Sequence, residues 1–134
     1  MTKKTGKIIP NGVYLQDHEY ETILFLTEQG FDVELIPVSL EENTKSADIL
    51  MSGLVWEMKS PHGNGKWVIK NILQKASHQS ENVIIDIRRL KQYPQEKYIN
   101  EVKQRFASIS RLQRLKIIGK RNIFLEIEKN PTLR

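Results

Sequence analysis

The segment Asn82-Val83-Ile84-Ile85-Asp86-Ile87 constrains this chain more than any other. A short, nearly unbroken apolar run reads as a strand at the centre of a sheet, covered on both faces. A surface strand would alternate instead. Two helical patterns flank the run and supply the cover. Lys66–Gln79 puts Ile69, Ile72, Leu73 and Ala76 on one face, and Glu96–Ser110 puts Ile99, Val102, Phe106 and Ile109 on another.

The rest of the chain fits a single mixed sheet around that strand. His18–Gln29 reads as a helix with Tyr20, Ile23, Leu24 and Thr27 on one stripe, Asp17 as N-cap and Gly30 ending it. Phe31–Ile36 alternates as a strand closed by Pro37, and Glu41–Ser46 is a polar loop. Ala47–Met51 and Leu54–Lys59 are strands around the turn Ser52-Gly53. Leu115–Ile118 and Ile123–Ile127 are strands around Gly119-Lys120-Arg121-Asn122. Three strands in sequence favour an antiparallel meander, and the helix before Asn82 favours a parallel crossover. The order α-β-β-β-α-β-α-β-β is that of one mixed α/β domain, with residues 1–12 as a flexible arm.

At 134 residues the chain can bury a core without a metal or disulfide staple. Cysteine is absent, which excludes disulfides, thiolate zinc sites and cysteine nucleophiles. No apolar run approaches the roughly 20 residues of a membrane span. Charge is unevenly divided: residues 1–59 hold 5 basic and 10 acidic side chains, residues 60–134 hold 16 and 6. Such a basic excess suits a polyanionic partner, or serves solvation alone.

The chemistry-bearing residues are Asp48, Glu57 and Lys59. With Ser52-Gly53 as a two-residue hairpin turn, Met51 pairs with Leu54, Leu50 with Val55, Ile49 with Trp56 and Asp48 with Glu57. The two acids then oppose each other with Cβ atoms about 4.5–5.5 Å apart. Lys59 projects from the same side, and Leu54, Trp56 and Met58 enter the core on the other. Opposed carboxylates repel, so something offsets the cost. A shared proton, an ion pair with Lys59 and a divalent cation are the three possibilities.

Asp48 followed by Glu57-Met58-Lys59 resembles the motif of PD-(D/E)XK nucleases, with Ala47 in place of the proline. His18-Glu19, Gly30-Phe31-Asp32-Val33-Glu34, Asp48, Trp56–Pro61, Gly65-Lys66 and Ser80–Asp86 more closely resemble the C-terminal RNase domain of CdiA-type contact-dependent inhibition toxins, over roughly residues 17–128. The resemblance implies a restriction-endonuclease-like α-β-β-β-α-β core, with an extra helix and a C-terminal hairpin, as a nuclease domain over residues 13–134. It implies metal-dependent phosphodiester hydrolysis, with Asp48 and Glu57 as ligands to Mg²⁺ (or Mn²⁺ or Zn²⁺) and Lys59 as the catalytic lysine. It adds Glu19 on the first helix as a further catalytic or metal-binding acid, although a carboxylate there also suits the helix dipole. It makes RNA, specifically tRNA, the expected substrate, with DNA the runner-up. It also implies a soluble domain acting in the cytoplasm, delivered within a secreted toxin and countered by an immunity protein.

Other residues extend the expected site. Lys66, Lys70 and Arg121 are candidate contacts to a nucleic-acid backbone, and His62 a candidate proton shuttle or contact. Trp67 is a base-stacking candidate or a core residue. Asp86 either reaches the site or pairs with Arg88. Gly63-Asn64-Gly65-Lys66 lacks the P-loop pattern. A nucleic-acid-binding module with purely structural acids, and a protein-docking domain, are the alternatives to an enzyme.

Overall fold

Among the described residues every strand joins one seven-stranded sheet whose strand order follows the chain. A computed structural model describes residues 4–37 and 47–129. The strands are β1 (Ile8–Ile9), β2 (Val33–Leu35), β3 (Ile49–Met51), β4 (Leu54–Lys59), β5 (Asn82–Asp86), β6 (Arg114–Gly119) and β7 (Ile123–Glu128). The helices are α1 (Asp17–Glu28), α2 (Val68–Ser77) and α3 (Gln95–Ser108). β2, β3 and β4 form the antiparallel meander, while β5 runs parallel to both β4 and β6. The polar loop expected at Glu41–Ser46 lies outside the described residues.

β5 is buried along its whole length, as its apolar run requires. Val83, Ile85 and Ile87 pack with Ile69 and Leu73 of α2 and Val102 and Phe106 of α3. On the other face Ile84 joins Ile23 and Leu26 of α1, with Ile49, Met51 and Trp56 of the hairpin. Asp86, the one acid in the run, is fully engaged on the α1 side. Its Oδ2 accepts Thr22 Oγ1 and Arg88 Nη2, each at 2.7 Å, and its Oδ1 accepts the Arg88 amide and Nε. Of the two fates expected for Asp86, pairing with Arg88 is the one realised.

Both hairpin turns carry two consecutive residues with positive φ, the conformation that matches strand twist: Ser52 and Gly53, and Arg121 and Asn122. α1 begins at Asp17 rather than His18, and Gln16 rather than Asp17 caps it. Gln16 and Glu19 bond reciprocally as a capping box.

The larger difference is at the N-terminus. Residues expected within a flexible arm contribute β1, which pairs parallel with Val33 and Glu34. Gly6 N–H donates to the Thr27 carbonyl at 2.7 Å, Lys7 N–H to Asp32 at 2.8 Å, and Val33 N–H to the Lys7 carbonyl at 2.8 Å. Two residues of strand carry too little periodicity to read locally; an existing sheet edge supplies their hydrogen bonds. Among the described residues, no helix is long and apolar enough to cross a membrane.

Candidate active site

Alternation along β4 sends Leu54, Trp56 and Met58 into the α1-side core and leaves Glu57 and Lys59 on the other face. Glu57 is only 4% exposed. Its Oε2 lies 3.1 Å from Lys59 Nζ. Its Oε1 is buried and meets no hydrogen-bond partner among the described residues. Burial, and then the charge of Asp48, raise the Glu57 carboxyl from the usual range to about 7, against the downward pull of Lys59. A hydrogen bond to Asp48 further favours the protonated form.

The hairpin register forms as expected at Met51–Leu54, Leu50–Val55 and Ile49–Trp56, but does not continue to Asp48 and Glu57. Asp48 N–H donates to the Trp56 carbonyl at 2.9 Å, so Asp48 and Ile49 both face Trp56 in a β-bulge. Asp48 Oδ2 accepts the Met58 N–H at 2.8 Å, a role the ladder would have given to a backbone carbonyl. The bulge re-aims the Asp48 carboxylate while keeping it within electrostatic reach of Glu57. One of the three expected offsets to acid repulsion is therefore in place, the Lys59 ion pair, and the raised Glu57 carboxyl favours a bound proton as a second.

The third offset, a cation, fits the same atoms. An unpartnered buried carboxylate oxygen beside a second carboxylate is the oxygen chemistry that hard cations take. Among the described residues no three His, Asp or Glu side chains converge on one point. Glu19 is accordingly not gathered with Asp48 and Glu57; its Oε1 accepts the Gln16 N–H at 2.9 Å as part of the α1 cap.

Lys59, Glu19 and His62 do share a polar cavity of about 400 Å³, with His18, Ser60 and Arg89. It opens at the carboxyl end of β4, where α/β sheets commonly bind ligands. Arg89 was not anticipated. Its Nε donates to Ser60 Oγ at 3.1 Å and its Nη2 to the Ser60 carbonyl, tying the loop after β5 to the loop after β4. The available signal was its place just beyond an apolar parallel strand. His18 also lines this cavity. Lys66 and Lys70 lie elsewhere, flanking the half-exposed Trp67. Arg121 borders a separate cavity with Tyr93 and Lys120.

The profile of the contact-dependent growth inhibition CdiA C-terminal domain family matches residues 45–124, which include Asp48, Glu57 and Lys59. The chain matches no curated protein. Among solved structures it is similar to a chain of the CdiA-CT/CdiI toxin and immunity complex from Burkholderia pseudomallei, with a TM-score of 0.65 and 18% identity, covering 92% of this chain and 100% of that one. At that identity the likeness is one of fold.

Proposed function

The chain belongs to the contact-dependent growth inhibition CdiA C-terminal domain family, and from that premise we propose that it is a toxin effector of the PD-(D/E)XK kind, a metal-dependent nuclease acting on RNA, with tRNA as the favoured substrate. The observation that carries this reading is the buried, unpartnered Glu57 Oε1, with Asp48 beside it and Lys59 3.1 Å from the other oxygen. A sheet has no structural use for that arrangement.

Asp48 and Glu57 would hold the cation, Mg²⁺ being the natural choice for oxygen donors. Bound there, it supplies Lewis acidity and neutralises phosphate charge. The remaining steps belong to the protein. Lys59 presents its ammonium beside the acids and stabilises negative charge developing on the phosphate. Arg89 and His62 border the cavity into which Lys59 opens and orient the phosphodiester there. The basic second half of the chain retains the polyanion by charge. As in the toxin–immunity complex of similar fold, a cognate immunity protein would neutralise the effector.

The test is incubation of the purified protein with tRNA and with plasmid DNA, with and without Mg²⁺, beside Asp48→Ala and Lys59→Ala. Cleavage of tRNA that needs Mg²⁺ and falls at least about a hundredfold in each folded variant is the expected result. No metal-dependent cleavage, or full activity in both variants, overturns the reading. Preferential cleavage of the plasmid moves the substrate to DNA.

A further inference from the structure

A second cavity, of about 440 Å³, lies beside the first and is lined by the same two loops together with residues of α2 and α3. The loop after β4 reaches it through Asn64–Trp67 and the loop after β5 through Gln92 and Tyr93. His62 and Arg89 of the first cavity are two and three residues from Asn64 and Gln92. At no more than about 3.5 Å per residue, the two cavities adjoin within about 10 Å along the chain.

Two features of this cavity go beyond core packing, although Tyr93 also meets the buried Tyr98 edge-on with ring centroids 6.0 Å apart. Trp67 is 48% exposed and Tyr93 43%, although the core elsewhere takes large rings. Cations also crowd these rings. Lys66 Nζ lies 5.0 Å from the Trp67 ring centroid, Lys70 Nζ 5.1 Å and the Arg105 guanidinium 5.9 Å, and Lys97 Nζ lies 3.6 Å from that of Tyr93. Four like charges repel, and among the described residues the only carboxylate lining the cavity is Glu101, 4.0 Å from Arg105. Exposed π-faces ringed by cations call for a ligand that is flat, apolar on its faces and anionic at its edge. An unpaired nucleotide meets all three requirements, through base stacking and phosphate charge. The volume falls within the roughly 300–1,000 Å³ of small-ligand sites.

We propose that Trp67 and Tyr93 form a stacking subsite for an unpaired base of a single-stranded nucleic-acid segment, with Lys66, Lys70, Lys97 and Arg105 holding its phosphates. The inference rests on the nuclease reading only for its purpose: the subsite would seat a base flanking the bond presented to Lys59. A duplex, with its bases stacked internally, would gain nothing from these rings.

The two tryptophans make the test direct. Trp56 is 3% exposed and serves as an internal reference, so ligand-dependent quenching reports Trp67. The probes are a short 2′-O-methyl RNA strand, an abasic strand with the same number of phosphates, and a polyglutamate peptide, all without metal. The expected result is quenching by the base-bearing strand alone. Read by the fluorescence anisotropy of end-labelled strands, because the variants lack the quenched ring and the abasic strand does not quench, Trp67→Ala should weaken the base-bearing strand about tenfold and leave the abasic strand unchanged, with Trp67→Phe restoring most of the loss. Lys66→Gln with Lys70→Gln should weaken both strands and lower the salt slope by about 0.7 per lysine. Equal loss for both strands in Trp67→Ala overturns the proposal, as does equal quenching by polyglutamate, which would make the cavity a dock for an acidic protein. Metal-dependent cleavage that survives such a result leaves the nuclease reading intact. Base-specific quenching without any cleavage retains the subsite and removes the nuclease.

Discussion

Glu57→Gln should make this protein more stable at pH 8 while abolishing its proposed activity. In the folded protein the Glu57 carboxyl is raised to about 7 from an ordinary 4.5. Between those two values the native state binds the proton more tightly than the unfolded chain, so stability is highest below pH 4.5 and falls as the pH rises through 7. At about 1.4 kcal/mol per pH unit, the loss is about 3 kcal/mol by pH 8. Glutamine cannot ionise and does not suffer it. The Lys59 ion pair is already counted in that value, since its downward pull is one of the causes that set it. The gain is about 3 kcal/mol at pH 8, a rise in Tm of about 10 °C for a domain of this size, and close to nothing at pH 4.5. Thermal or urea unfolding of both proteins at half-unit steps from pH 4.5 to 8 measures it. Asp48→Asn, which removes the second cause of the shift, should narrow the window. Mg²⁺ should stabilise the parent and not the variant. A stability difference that stays flat across this pH range, or a variant less stable at pH 8, would show that Glu57 is not held as a strained buried acid.

Gly6→Ala should cost about 1–3 kcal/mol in urea unfolding, because an added Cβ would lie 1.7 Å from the Phe31 carbonyl oxygen; an unchanged midpoint would return residues 4–9 to a detached arm. Asp86→Ala should destabilise by about 2–4 kcal/mol, since it strands Arg88 and the buried Thr22 hydroxyl, and a double variant with Arg88→Ala should recover part of that loss. Arg89→Ala should reduce cleavage about tenfold or more with under about 1 kcal/mol of destabilisation, and Arg89→Lys should not restore it, because a lysine cannot address both Ser60 oxygens as a fork does.

Much of the architecture is legible in local patterns because those patterns are consequences of burial. The apolar run of β5, the spacing of Ile69, Leu73, Val102 and Phe106, and the positive-φ turn at Ser52-Gly53 each state which face is covered and where the chain reverses. Period-2 alternation likewise puts Glu57 and Lys59 on one face of β4 without reference to the rest of the molecule. Boundaries moved by a residue or two where caps decided them, as at Gln16. β1 was illegible, because its two residues become a strand only when the edge of β2 is there to pair with.

The site divides in the same way. Its motif follows from residue order, since spacing along a hairpin sets which side chains become neighbours. Its energetics do not. The burial that leaves Glu57 Oε1 without a partner, the bulge that turns Asp48 toward Met58, the meeting of Arg89 with Ser60, and the placing of Tyr93 and Trp67 on one cavity depend on segments far apart in sequence. Desolvation and through-space charge are properties of what surrounds a group, and only the closed fold decides what surrounds it.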